Sequence, residues 1–147
     1  MRGYAAIGLF NPKGGANIGG ALRACGCYGA SLAVLCGQRY KRIPTDTIPM
    51  YTTIPLVHAD DMRSVIPFDC VPVAVEILPK AVSLFSYKHP ERAFYIFGPE
   101  DGTLGDSVTS WCRDIVYIPT KHCMNLAATV NVVLYDRMAK LGEKEKG

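Results

Sequence analysis

Short apolar runs alternate with stretches of helical periodicity along most of this chain, and that alternation narrows the fold more than any other feature. Tyr4 to Phe10 (YAAIGLF), Ser31 to Cys36 (SLAVLC), Val71 to Leu78 (VPVAVEIL), Ala93 to Phe97 (AFYIF) and Asp114 to Ile118 (DIVYI) each read as a buried strand. Asn17 to Tyr28 carries Ile18, Ala21, Leu22 and Cys25 at helical spacing, and Asn125 to Lys140 does the same with Leu126, Val130, Val133, Leu134 and Met138. Basic residues in the last turn of the second helix suit its dipole. Leu104 to Trp111 reads as a short helix with Asp106 near its start. Another is expected around Ala59 to Val65, in a stretch where Pro44, Pro49, Pro55 and Pro67 break longer elements. Strands alternating with helices predict an α/β fold, a mostly parallel sheet with helices on both faces.

A chain of 147 residues suits a single domain, 1–147, of which only the EKEKG end (about 142–147) looks loose. Hydrophobic residues are 49% of the chain and charged residues 20%, the balance of a globular protein and not of a disordered one. A net charge of +3 permits an anionic partner without marking a dedicated nucleic-acid binder. The six cysteines form no CxxC pair and the three histidines are scattered, so no metal site and no disulfide framework is expected. No apolar stretch approaches the roughly 20 residues of a membrane span, and AAIGLF is too short for a signal-peptide core. A cytoplasmic protein without membrane contact is the expectation.

Between the first strand and the first helix lies NPKGGANIGG, which looks like a phosphate loop. A Walker loop requires Gly-Lys-Ser/Thr, which is absent, and the glycines at 14, 15, 19 and 20 never form the Gly-x-Gly of a dinucleotide fingerprint. What remains is Asn17-x-Gly19-x-x-x-Arg23. The helix start could seat a phosphodiester, with Arg23 about 9 Å further along the same face. The alternative is that Asn17 only caps the helix and Arg23 is solvated. Downstream, Gly98 to Gly102, Ile118 to Thr120 and Cys123 to Leu126 follow buried strands or open the last helix. Such loops cluster at the carboxyl edge of a parallel sheet, where ligands of these folds bind.

Three motifs in order, NIGGALR from Asn17, IFGPEDG from Ile96 and IPTKHCMNLAATVNVVLY from Ile118 to Tyr135, resemble the SpoU or TrmH branch of the SPOUT RNA methyltransferases, over essentially the whole chain. The resemblance implies a parallel α/β sheet whose carboxyl third forms a deep trefoil knot, S-adenosylmethionine bound in that knot, and a homodimer with active sites at the interface. It implies methylation of a ribose 2′-hydroxyl in RNA. By the same resemblance the catalytic residues are Arg23, Asn17, Glu100 and Asn125, and the cofactor is held around Leu78, Gly98, Glu100, Gly102, Ile118, Cys123, Met124 and Asn125. A guanidinium, with its pKa above about 12, is a poor base, so Arg23 is read as a clamp that acts by charge. Glu100 is read as a hydrogen-bonding residue that orders Asn17 or Arg23.

The chain departs from its relatives in carrying Cys123 where many have serine, and a thiol is a weak donor. RNA contacts are expected from Lys13, Arg23, Arg39, Lys41 and Arg42, through phosphate rather than sequence. The minimal size favours transfer RNA over ribosomal RNA by analogy. The competing readings are a ribosomal RNA methyltransferase, a base-nitrogen methyltransferase and a non-catalytic RNA-binding knot protein.

Overall fold

The most apolar run of the sequence becomes the middle of a sheet. In the computed structural model, which describes residues 3–37, 39 and 54–142, β1 (Tyr4–Phe10) pairs in parallel with β2 (Leu32–Cys36) on one side and β6 (Arg92–Phe97) on the other. Lys41, Arg42 and the chain beyond Gly142 lie outside the described residues. β3 (Leu56–Ala59), β4 (Val71–Val75), β5 (Val82–Ser83) and β7 (Asp114–Tyr117) complete a seven-stranded parallel sheet in the order β3-β2-β1-β6-β4-β7-β5.

Strands buried on both faces must be apolar at every position. Along β6, Ala93, Tyr95 and Phe97 enter one core while Phe94 and Ile96 enter the other. The first core lies beneath α1 (Gly15–Tyr28) and α3 (Leu126–Lys140), which bury Ile18 and Leu22, and Val130, Val133 and Leu134. Each such side chain contributes about 2 kcal/mol of transfer free energy. The opposite face is covered by the four-residue α2 (Asp106–Thr109), which supplies Val108, and by two loop segments, one supplying Met62 and the other Leu104. α1 and α3 approach very closely at Gly20, where a Cβ would lie 2.7 Å from that of Ala127.

Several boundaries differ from those the sequence predicts. The helix expected at 59–65 is a single 3-10 turn, Arg63–Val65, preceded by β3. The strand expected to reach Leu78 ends at Val75, because the chain then turns away to reach β5. β7 sits between β4 and β5, the two strands joined by the short segment 76–81. Val75 and Val82 both lie level with Val116, on opposite sides of β7, so segment 76–81 arches across the end of that strand. The chain leaving β7 returns to pack α3 on α1, an arrangement consistent with a knotted crossover. Among the described residues no helix is long and apolar enough to cross a membrane.

Candidate active site

Parallel pairing of β1 with β6 brings the loops that follow them to the same edge of the sheet, and one side chain joins them. Glu100 accepts hydrogen bonds from the backbone N–H of Lys13 at 2.9 Å, from that of Gly14 at 2.9 Å and from the Asn17 side-chain amide at 3.0 Å. Helix α1 begins at Gly15, after an N-cap glycine with no side-chain cap, so Asn17 lies in its first turn and is not its cap. The carboxylate therefore occupies the positive end of α1. The phosphodiester seat expected there is filled by the chain's own Glu100, because β6 delivers its loop to that helix end. Partial burial pushes the Glu100 carboxyl up, and the donors of Lys13, its own N–H, Gly14 and Asn17 outweigh this and hold it below the ordinary carboxylate value. It is a fixed anion, poorly suited to accept a proton.

The neighbouring residue makes a second tie. Arg39 donates to both oxygens of Asp101, at 2.7 and 3.0 Å, and to the carbonyl of Asn11 at 3.0 Å. Hydrogen bonding to the guanidinium holds the Asp101 carboxyl below its usual range. Arg39 thus locks the loops after β1, β2 and β6 together. Lys13 stands exposed beside this cluster.

Behind Glu100 opens a cavity of about 200 Å³ between the loops that follow β4, β6 and β7. Val75, Phe97, Ile118 and Leu126 give it an apolar wall. Gly98, Glu100 and Gly102 form one rim, and Thr120, Cys123 and Met124 form the other. Of the residues assigned to a cofactor from sequence, Gly98, Glu100, Gly102, Ile118, Cys123 and Met124 line this space. Leu78 does not: its side chain packs on the core of the opposite face, and its carbonyl accepts the Ala81 N–H. Asn125 does not line it either; it caps α3, its Oδ1 accepting the Ala128 N–H at 2.7 Å.

Arg23 lies outside the cavity. Six residues from Asn17 on a helix means a rotation that leaves the two side chains about 120° apart around the axis, so they do not share a face as the sequence reading supposed. Arg23 is exposed on α1. Sequence reasoning also overlooked Glu76 and Thr129, which line the cavity. Glu76 looks like a solvent-facing break in an apolar strand, and its only sequence signal is a lone carboxylate at a strand's carboxyl end. No group of three or more His, Cys, Asp or Glu among the described residues is placed to hold a metal ion, and all six cysteines are unpaired.

An all-parallel sheet with a loop-built cavity at its carboxyl edge, beside a helix start anchored by an acid, defines an α/β ligand-binding protein of the open-sheet class. The chain belongs to the SpoU rRNA methylase family, whose model matches residues 5–135. No curated protein matches it by sequence. Its fold is similar to that of the SpoU methyltransferase AviRb from Streptomyces viridochromogenes (TM-score 0.82, 16% identity, 98% of this chain and 62% of that one). It is similar to a structure solved for the 2-OH methylation of C/U34 on tRNA (TM-score 0.81, 20% identity, 97% of this chain and 99% of that one). It also resembles the A. aeolicus TrmH/SpoU tRNA modifying enzyme (TM-score 0.82, 14% identity, 95% and 76%). The chain spans about three fifths of AviRb, which has also been solved in complex with AdoMet.

Proposed function

We propose that this chain transfers a methyl group from S-adenosylmethionine to a ribose 2′-hydroxyl of transfer RNA, working as a homodimer in the cytoplasm. The observation that carries the reading is the Glu100 junction, which fixes the start of α1, with its Asn17, against the rim of the cavity. Family membership supports RNA methylation, and the AdoMet complex of AviRb supports the cofactor.

The residues present fit that cofactor. The apolar wall of Val75, Phe97, Ile118 and Leu126 suits an adenine ring, and Gly98 and Gly102 bring backbone without side chains to the rim. The cavity, about 200 Å³, is open on one side, so a ligand of cofactor size would fill it and extend through its mouth. When bound, S-adenosylmethionine supplies an activated methyl group on a sulfonium. The protein's own task is alignment and charge placement. Because ionised Glu100 only accepts, the Asn17 group facing it is the amide N–H₂, which leaves Oδ1 to accept from a substrate hydroxyl. Asn125 keeps its own N–H₂ beyond the capping contact and stands next to Met124 at the cavity rim.

Arg23 is read as the group that binds an RNA phosphate and, by its charge, eases loss of the hydroxyl proton. It is exposed on α1 and does not line the cavity of its own chain, which supports a site completed by a second copy. Val132 and Tyr135 on α3, the latter in edge contact with Tyr28 of α1, leave apolar surface on the outer side of this helix pair to receive that copy. Lys13 is exposed beside the Glu100 junction and is read as a phosphate contact, while Arg39 is committed to Asp101.

Transfer RNA is favoured over ribosomal RNA by the relative that the chain matches over 99% of its length, the structure solved for methylation at C/U34 on tRNA. The test is to incubate the protein with methyl-labelled S-adenosylmethionine and separate pools of unmodified transfer and ribosomal RNA. Label in the transfer RNA pool is expected. Label only in ribosomal RNA would move the substrate, and no label in either, with cofactor binding verified, would favour a non-catalytic RNA-binding protein.

A further inference from the structure

The charge of the cavity lining is one-sided. Among the described residues the charged side chains that line it are Glu76 and Glu100, with no lysine, arginine or histidine, and the other polar contributors, Tyr117, Thr120, Cys123 and Thr129, are neutral. Glu100 is occupied at the helix start. Glu76 stands apart from it, at the end of β4, and belongs to the wall of the cavity.

Its position is built rather than incidental. Glu76 Oε2 accepts the Leu104 N–H at 2.8 Å and Oε1 accepts the Ile77 N–H at 3.0 Å, while its own N–H donates to the Val116 carbonyl at 2.9 Å. The segment after β4, the loop after β6 and strand β7 itself are thereby tied to one residue. Gly98 leaves room for the contact, since a Cβ there would lie 3.2 Å from the same Leu104 nitrogen. Two backbone donors keep the carboxylate turned inward while its remaining lone pairs and its charge stay beside the cavity.

We propose that Glu76 determines specificity for the charged form of the cofactor, favouring the sulfonium substrate over the neutral thioether product. The inference rests on the reading that this cavity holds S-adenosylmethionine. In the transfer the carbon–sulfur bond breaks, its electron pair stays on sulfur, the methyl carbon bonds to the ribose oxygen and the hydroxyl proton leaves to solvent. The cofactor therefore loses one positive charge. A carboxylate in a partly dehydrated wall attracts the cation and is indifferent to the thioether, so it promotes exchange of spent product for fresh substrate.

The experiment is calorimetric titration of the wild-type protein and of Glu76→Gln with S-adenosylmethionine, with S-adenosylhomocysteine and with an analogue carrying an amine in place of the sulfonium. Glu76→Gln is expected to weaken both cationic ligands about fivefold relative to the thioether, whose affinity changes little. A thermal melt checks that the variant is folded. In the wild-type protein, raising salt from about 0.05 to about 0.5 M should weaken the cationic ligands relative to the thioether, which needs no variant. Equal losses for all three ligands, or an unchanged ratio with salt and in the variant, would overturn the role of Glu76 and leave the methyltransferase reading standing. Failure of every ligand to bind the wild-type protein would overturn both.

Discussion

Asn17 and Glu100, 83 residues apart in sequence, are joined by a 3.0 Å hydrogen bond that fixes the start of the first long helix to the loop after the central strand β6. The same carboxylate holds two backbone N–H groups, so one side chain organises the edge at which the cavity opens. Glu100→Gln keeps the shape but cannot serve three donors as an anion. Methylation should fall by at least about tenfold while the fold survives, the scale of losing one preorganised charge contact. A rate within twofold of wild type would remove Glu100 from the account.

The Arg39–Asp101 pair is expected to matter through geometry. Both side chains are more than a third exposed, so breaking the pair should leave overall stability nearly unchanged. It should nevertheless loosen the loop that carries Glu100. Arg39→Asp and Asp101→Arg are each expected to slow methylation severalfold, and the double swap to recover much of the loss. A double variant no better than the worse single one would contradict this coupling.

Gly20 is a packing position. A Cβ there would come 2.7 Å from Ala127, so Gly20→Ala should push α1 and α3 apart and destabilise the protein by about 1–2 kcal/mol, despite the better helix propensity of alanine. Urea denaturation reads this directly. A variant as stable as wild type would mean that the two helices adjust freely.

Acid sensitivity should arise at His89, which is 5% exposed. Arg137 donates to the Tyr95 hydroxyl, that hydroxyl donates to His89 Nδ1, and His89 Nε2–H donates to Asp136 at 2.7 Å, an arrangement that needs a neutral ring. Burial lowers the pKa of the ring from 6.5, and the opposing pull of Asp136 is the smaller effect. The unfolded chain then binds the proton more tightly than the folded one. This contribution to stability is full above pH 6.5 and is lost as pH falls through 6.5 toward the lower folded value. Midpoint temperatures should drop between about pH 7.5 and about pH 5.5, and the drop should shrink in His89→Gln. An equal drop in both proteins would assign the acid sensitivity elsewhere.

The central strands and long helices were legible because their residues obey a single local rule: YAAIGLF and RAFYIF are buried on both faces, and α3 repeats Val130, Val133 and Leu134 on one. β3 was not, since LVHA is half-exposed at the sheet edge and follows Pro55. β5 is two residues long and exists only because it can pair with β7. The site divides in the same way. Motif spacing brought Gly98, Glu100, Gly102, Ile118, Cys123 and Met124 to one edge, but spacing could not reveal that Glu100 fills the helix start. Nor could it reveal that Arg39 pairs with Asp101, or that Glu76 reaches Leu104, because those contacts depend on how distant strands are ordered.

Arg23 carries the sharpest division between binding and catalysis. Outside its own cavity, it should be dispensable for cofactor affinity, so Arg23→Ala is expected to bind S-adenosylmethionine within about twofold of wild type while losing methylation by at least about a hundredfold. Retained turnover would take Arg23 out of the mechanism.

The central claim is the position of the methyl group, and alkali tests it most directly. Methylation of a ribose 2′-hydroxyl removes the nucleophile that cleaves the adjoining phosphodiester, so transfer RNA labelled by this protein should yield its label in an alkali-resistant dinucleotide. Label recovered in ordinary mononucleotides after complete alkaline hydrolysis would put the methyl on a base and contradict the account.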